Sequence, residues 1–229
     1  MSNIAIITAR GGSKRIPKKN IKEFCGKPII AYSIEAAIES GLFDEVMIST
    51  DSEEIADISV KYGAKVPFYR SEKTSGDYAT TADVLLEVLD VYKERGTEFD
   101  NLCCLYPTAP FVTAEKLRNA YSVLEKDPSV DSVIPVVRFS FPPQRGFISR
   151  NGFLEYQYPE NAMKRSQDLE PVYHDCGQFY FCRTGAFLKY RTLICPGSAP
   201  FEMPEEEVQD IDNESDWKLA ELKYKMMRE

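Results

Sequence analysis

Apolar and polar positions in the first part of the chain alternate between two rhythms. Short apolar runs at Ile4 to Ala9, Glu45 to Ser49, Leu102 to Tyr106 and Val133 to Val137 have the length of buried strands. The segments between them carry helical spacing. One helix is expected near Pro28 to Ser40, with Pro28 at its first turn and Gly41 past its end. Ser52 caps a second, which runs to Tyr62 with Ile55, Ile58 and Tyr62 on one face and closes at Gly63. A third passes through Val84, Leu85, Val88, Val91 and Tyr92 and stops at Gly96; Thr113 caps a fourth through Leu117, Tyr121 and Leu124. Val66 to Tyr69 reads as a short strand that Pro67 confines to an edge or an end. Strands separated by helices of this length predict an α/β fold, a mainly parallel sheet with helices on both faces and right-handed crossovers.

The rhythm breaks after Arg138. From Phe139 to Pro171 the chain is rich in proline and aromatics, and Asn151-Gly152 separates two short apolar stretches, the pattern of a β-hairpin. This arm of about 139–171 would either cover a site as a lid or pack against a second subunit. The α/β pattern then resumes with a strand at Gln178 to Cys182, and the chain closes with a helix from Asn213 to Arg228 whose Trp217, Ala220, Tyr224 and Met227 share a face. With 229 residues, 43% of them hydrophobic, residues 1–229 are expected to form a single domain around one core.

Composition narrows the function classes. No run of eighteen apolar residues occurs, and the N-terminus lacks a signal-peptide pattern, so a cytoplasmic protein without a membrane partner is expected. Six cysteines form no CxxC pair, and one histidine is too few for an ordinary zinc site; the cysteines read as reduced core thiols. A net charge of −8 excludes general nucleic-acid binding. The charge is also segregated. Seven cations (Arg10, Lys14, Arg15, Lys18, Lys19, Lys22, Lys27) and one acid lie between Arg10 and Lys27, whereas eight acids and no Lys or Arg lie between Glu202 and Asp216. Such a distribution suits a compact anion bound at the first segment and its metal at the second, or simply two solvated faces.

The first segment, Ala9-Arg10-Gly11-Gly12-Ser13-Lys14-Arg15-Ile16-Pro17-Lys18-Lys19-Asn20, follows a strand and precedes a helix. In a parallel sheet that is the ligand-binding edge. Small residues there let backbone N–H groups approach phosphate oxygens while the cations neutralise them; a plain Gly-rich turn with solvated lysines is the alternative. The loop matches neither the P-loop nor the GxGxxG fingerprint. In the second segment, Asp210 and Asp212 project to one side of an extended chain, where a magnesium ion and substrate phosphates would complete the ligand set. Asp51 either touches the ligand or caps the next helix.

These motifs together resemble the bacterial CMP-sugar synthetase (acylneuraminate cytidylyltransferase) family. Its signature Ala-Arg-x-Gly-Ser-Lys-x-x-Pro-x-Lys-Asn is similar to the loop from Ala9, and further matches follow in the same order: Ser49-Thr50-Asp51, Arg70 to Thr81, Pro107-Thr108-Ala109-Pro110, Arg165 to Leu169, and Asp210-Ile211-Asp212 with Asp216-Trp217. The resemblance implies a Rossmann-like nucleotide-diphospho-sugar transferase fold, magnesium dependence and a homodimer joined through the arm. It implies a CTP loop of Arg10, Gly11, Gly12, Ser13, Lys14, Lys19 and Asn20, with Arg10 and Lys19 on phosphate, and a cytosine site of Arg70 with Thr80 or Thr81. Asp210 and Asp212 become its metal aspartates, and Tyr106, Thr108, Arg165, Gln167, His174 and Gln178 its acceptor-sugar residues, His174 serving either the sugar or a structural hydrogen bond.

The acceptor side departs from the sialic acid branch. Tyr106, Phe111 and Val112 stand where that branch has Gln, Leu and Arg, and Tyr173 to Tyr180 resembles the pseudaminic acid branch instead. The implied reaction joins CTP to a nine-carbon acidic sugar, giving a CMP-sugar and pyrophosphate. Tyr106, Phe111 and Val112 are expected to give the sugar pocket an apolar wall. A hexose 1-phosphate nucleotidyltransferase is the rival enzyme, disfavoured by the short glycine run before Lys14; a catalytically silent nucleotide-binding subunit is the rival from another class.

Overall fold

The computed structural model describes residues 1–228. In chain order the strands are β1 (Asn3–Thr8), β2 (Glu23–Phe24), β3 (Lys27–Pro28), β4 (Glu45–Ser49), β5 (Asn101–Leu105), β6 (Ser132–Arg138), β7 (Phe147–Arg150), β8 (Phe153–Tyr156), β9 (Tyr173–Asp175), β10 (Phe179–Arg183) and β11 (Ser198–Glu202). The helices are α1 (Ile29–Ser40), α2 (Glu53–Lys61), α3 (Glu72–Ser75), α4 (Thr81–Glu94), α5 (Ala114–Lys126), α6 (Thr184–Tyr190) and α7 (Glu214–Met227).

The main sheet has seven strands in the order β11-β6-β10-β5-β1-β4, with β9 added beside β6. β1, β4 and β5 are parallel neighbours, and β11 runs parallel to β6. β10 is antiparallel to both β5 and β6, and β9 is antiparallel to β6. The sheet is therefore mainly parallel, as expected, with a reversed strand at its centre that apolar patterning alone does not betray.

Alternation along the central strands divides the core. Ala5 and Ile7 of β1, Cys103 and Leu105 of β5, and Phe179 and Phe181 of β10 face one layer with Ile30 and Ile34 of α1 and Leu117 of α5. Ile4 and Ile6, Leu102 and Cys104, and Tyr180 and Cys182 face the other, with Leu85 and Val88 of α4 and Phe187 of α6. A third cluster closes one end: Trp217, Ala220 and Tyr224 of α7 pack on Ile16, Phe24, Ile29, Tyr32 and Phe111, so the last helix clamps the loop that follows β1.

The expected caps are present. Ser52 and Thr113 accept the Ile55 and Lys116 N–H groups, and Gly41 adopts the left-handed conformation after α1. Val66 to Tyr69, by contrast, forms no strand. Pairing with β4 stops at Lys65, whose N–H donates to Val46 O and whose carbonyl accepts from Ile48; Pro67, lacking an N–H, ends the ladder there. β9, α6 and β11 lie in stretches with too little apolar periodicity to be anticipated. All six cysteines are free, five of them buried. Among the described residues no helix is long and apolar enough to cross a membrane.

Candidate active site

β4 lies on one side of β1 and β5 on the other, so consecutive parallel strands diverge around β1, and a crevice opens beyond the carboxyl ends of β1 and β5. A cleft of about 500 Å³ occupies it, lined by Thr8 at the end of β1, by Arg10, Ser13, Lys14, Arg15, Lys19 and Asn20 of the basic loop, by Arg70, Asp77, Thr80 and Thr81, and by Tyr106, Thr108 and Asp212.

The loop is pinned at its backbone, and its cations Arg10, Lys14, Arg15 and Lys18 are held only by surface ion pairs. Asn20 is buried and donates to Arg10 O at 2.9 Å; Ile16 is fully buried. Asp51, offered above as ligand contact or helix cap, is not the cap: Ser52 caps α2, and Asp51 Oδ1 accepts the Gly11 N–H at 2.7 Å. A Cβ on Gly11 would stand 3.2 Å from the Ser52 Cβ, so a glycine suits this close approach. Gly11 and Gly12 themselves are exposed and outside the cleft lining.

Lys19 is the hinge between the two charged segments. Its Nζ donates to Ile211 O at 2.7 Å, between the two aspartates. Burial pulls its pKa down, and the Asp212 and then Asp210 charges oppose that pull, so both carboxylates act on the same ammonium. Ile211 is buried in the third cluster, which turns its two neighbours away from the core. Asp212 pairs with Arg15 at 2.8 Å and lines the basic cleft. Asp210 lines a second cleft of about 560 Å³ with Tyr106, His174, Asp175, Tyr180, Glu205 and Lys223. Tyr106 lines both clefts and marks their junction.

Arg70 is buried, and its Nε and Nη2 donate to Ser49 Oγ and Ser49 O at 3.0 and 2.7 Å. Burial lowers its pKa, against the pull of Asp51 and Glu87. Thr80 caps α4 through a reciprocal capping box with Asp83, which sets both Thr80 and Thr81 at the cleft. Asp77 was not anticipated: it accepts from Arg10 Nη1 at 3.0 Å and from Lys14, and those two bonds, Lys14 first, hold its carboxyl below the usual range. Its position inside the RSEKTSGDYATT match was the only sequence signal.

The acceptor residues divide. His174 lines the second cleft, its ring against Phe139 at 4.7 Å between centroids. Gln167 lines a third cleft of about 490 Å³ with Phe139, Ser140, Glu202 and Glu205, which adjoins the second through Val137 and Glu205. Arg165 is exposed, outside these clefts, and held by Asp168 at 2.8 and 3.0 Å. Gln178 is buried, with its Nε2 donating to Glu207 O at 2.8 Å. The apolar wall expected from three residues is reduced to one. Phe111 is buried against Trp217 and Tyr224, and Val112 lies in the sheet core, because the turn into α5 points both inward. Tyr106 remains, its phenol raised in pKa by burial and set against the Thr81 and Tyr180 hydroxyls. Tyr180 in turn donates to Asp175 Oδ2 at 2.6 Å.

Known proteins can be set beside this geometry. The cytidylyltransferase family pattern matches residues 4–176. A pseudaminic acid cytidylyltransferase of Campylobacter jejuni is 42% identical over 230 residues, covering 100% of this chain and 99% of that protein. The CMP-N,N'-diacetyllegionaminic acid synthase of Legionella pneumophila is 33% identical over 100% of this chain and 99% of its own length. An N-acylneuraminate cytidylyltransferase of Escherichia coli is 30% identical over 95% of this chain and 51% of that protein. Among solved structures, CMP:2-keto-3-deoxy-manno-octonic acid synthetase complexed with CTP aligns over 100% of this chain and 99% of its own with a TM-score of 0.71 at 19% identity, a likeness of fold. A basic loop and an aspartate pair assembled at one sheet edge, on a sequence that these relatives match end to end, make the chain a member of the cytidylyltransferase family.

Proposed function

We propose that the protein transfers a cytidylyl group from CTP to pseudaminic acid, forming CMP-pseudaminic acid and pyrophosphate. The observation that carries this reading is the pair of clefts meeting at Tyr106. One is lined by Arg10, Lys14, Lys19 and Arg70, as a triphosphate requires, and the other opens beside Asp210 and His174. The full-length 42% identity to a pseudaminic acid cytidylyltransferase supports the choice of sugar. The reading implies a cytoplasmic enzyme, where CTP is made.

Two carboxylates flanking a buried Ile211 and acting on one lysine fit a magnesium ion, which takes one or two carboxylates and fills its remaining positions with water and phosphate oxygens. Asp210 and Asp212 would hold it. When bound it would polarise the α-phosphate and favour the ionised form of the attacking hydroxyl. Arg10 and Lys14 bind the β- and γ-phosphates after releasing Asp77. Lys19 neutralises charge near the α-phosphate, and Arg70 with Thr80 and Thr81 holds the cytosine. The anomeric hydroxyl gives up its proton to solvent, and its oxygen forms the bond to the α-phosphorus as the bond to the bridging oxygen breaks and pyrophosphate leaves with that electron pair. Most of the rate comes from positioning and charge neutralisation.

The arm supports a homodimer. Phe153, Leu154 and Met163 are 75%, 72% and 95% exposed, more apolar surface than a solvated hairpin ordinarily shows.

Pyrophosphate release tests the reading, with each nucleoside triphosphate against pseudaminic, diacetyllegionaminic and N-acetylneuraminic acids. CTP with pseudaminic acid should give the highest kcat/KM. Equal or better turnover of N-acetylneuraminic acid would overturn the sugar, and no release from CTP with any of the three would overturn the reaction.

A further inference from the structure

The second cleft poses an electrostatic problem. Asp175, Glu205 and Asp210 line it, yet on the reading above it must admit a sugar that is itself an anion. Asp175 is partly occupied, accepting from Tyr180 at 2.6 Å and from the Gly177 N–H at 2.7 Å, and on the same reading Asp210 would be taken up by the magnesium ion. A carboxylate entering here still needs an opposite charge close by.

Besides His174, one basic side chain lines this cleft: Lys223 of α7. It is half-buried, and its Nζ donates to Val208 O at 2.7 Å and Glu205 O at 3.1 Å. Those carbonyls orient the ammonium without neutralising it, and among the described residues no carboxylate forms an ion pair with it. Two of its three N–H groups are used, and one is left. The loop cations behave differently: Arg10, Lys14, Arg15 and Lys18 each have a carboxylate partner. An oriented, unneutralised ammonium beside an acid-lined cleft is what recognition of an anionic substrate needs.

We propose that Lys223 binds the C1 carboxylate of the acceptor sugar. The inference rests on the reading that this cleft holds the acceptor. In a 2-keto sugar acid the carboxyl carbon is bonded directly to the anomeric carbon, so fixing the carboxylate also fixes the attacking hydroxyl relative to the α-phosphate. A purely structural role is the competing account, because the two hydrogen bonds tie α7 to the segment that leads into Asp210.

The test uses the acceptor acid and its C1 carboxamide, which keeps the shape and removes the charge. Lys223→Gln retains N–H donors for the two carbonyls and loses the charge; Lys223→Arg retains the charge. Wild-type enzyme should prefer the acid over the carboxamide in kcat/KM by about tenfold to a hundredfold, the range for a hydrogen bond between charged groups. Lys223→Gln should raise KM for the acid by a similar factor, lose most of the acid preference and leave KM for CTP within about threefold, while Lys223→Arg should recover part of the preference. A wild-type acid preference in Lys223→Gln overturns the assignment and leaves Lys223 a staple, even if total activity falls. Tyr106→Ala and His174→Ala report on the underlying reading: unchanged sugar KM in both would mean that the acceptor binds elsewhere.

Discussion

The basic loop after β1 and the arm from Phe139 to Pro171 are both exposed, and they are exposed for opposite reasons. In the loop the charged side chains reach the surface while Asn20 closes the loop on Arg10, and Gly11 and the Lys19 side chain fasten it to two other parts of the chain, Asp51 and Ile211. In the arm, apolar rings face solvent on the two-stranded hairpin of β7 and β8, which pairs with no strand of the main sheet. A fixed backbone whose cations are held only by exposed, exchangeable carboxylates is preorganised for a small anion. A hairpin presenting Phe153 and Leu154 offers apolar surface in place of charge, and it is the surface proposed above to meet a second copy of the chain. The charged surface thus sits at the strand ends, and the exposed apolar surface on the segment between β6 and β9.

The largest effects should come from the fastened side. Asp210→Ala and Asp212→Ala are expected to fold normally and to lose most activity, and Lys19→Ala to lower kcat/KM for CTP by about 10²–10³, the range for losing one preorganised electrostatic contact. Lys19 also holds Ile211 O, so its loss loosens the aspartate pair. Circular dichroism should stay unchanged while pyrophosphate release collapses. If any of the three variants kept wild-type turnover across a magnesium titration, the preorganised site would lie elsewhere.

On the arm, replacing Phe153 and Leu154 by serine should shift the protein from dimer to monomer in sedimentation at micromolar concentration, with kcat for CTP reduced less than tenfold. The side chains are exposed within one chain, so monomer stability should hardly change. A wild-type protein that sediments as a monomer at every accessible concentration would leave the hairpin as a lid.

The same contrast explains what could be read from the sequence. β1, β4, β5 and the helices between them were legible because apolar period and capping residues act over a few neighbours. The loop and the Asp210–Asp212 segment could be singled out because each is contiguous in sequence, and the structure brings the loop and Asp212 to one cleft and Asp210 to the adjoining one. The antiparallel setting of β10 was not, since strand direction depends on the route of the chain through the arm. Phe111 and Val112 were misplaced for a related reason: their apolar character fits a pocket wall as well as a core, and only the turn into α5 decides. Asp77 meets Arg10 from 67 residues away, and Lys223 reaches back from α7 to Val208 O, 15 residues before it; both lie beyond the few neighbours that a spacing rule covers.

A smaller effect separates exposed charge from spent charge within the loop itself. Asp77 occupies Arg10 and Lys14 where the triphosphate is expected, and all three side chains are substantially exposed. Asp77→Ala should therefore lower KM for CTP by only roughly two- to fivefold, since a solvent-screened pair is worth little. Titration calorimetry with CTP checks it. A weaker affinity would show that Asp77 supports the bound nucleotide rather than competing with it.

The subtlest test asks how the fastening reaches Asp210 and Asp212, the aspartates proposed to hold magnesium. Asn213 and Asp216 form the capping box at the start of α7: Asn213 Oδ1 accepts from Ser215 and Asp216, and Asp216 Oδ2 accepts from the Asn213 N–H at 3.0 Å. Asp216 also accepts the Asp212 N–H at 2.9 Å, a bond that Asn213 does not make. Both residues support the helix, so Asn213→Ala and Asp216→Ala should each cost about 1 kcal/mol of stability, the usual value of an N-cap. Only Asp216→Ala removes the restraint on the Asp212 backbone. It should require several-fold more magnesium for half-maximal activity, while Asn213→Ala keeps the wild-type requirement. Comparing the two variants cancels the shared loss of helix stability, so a difference in magnesium dependence isolates the positioning role. Equal magnesium requirements in the two variants would mean that the aspartate pair is held by Ile211 and Lys19 alone.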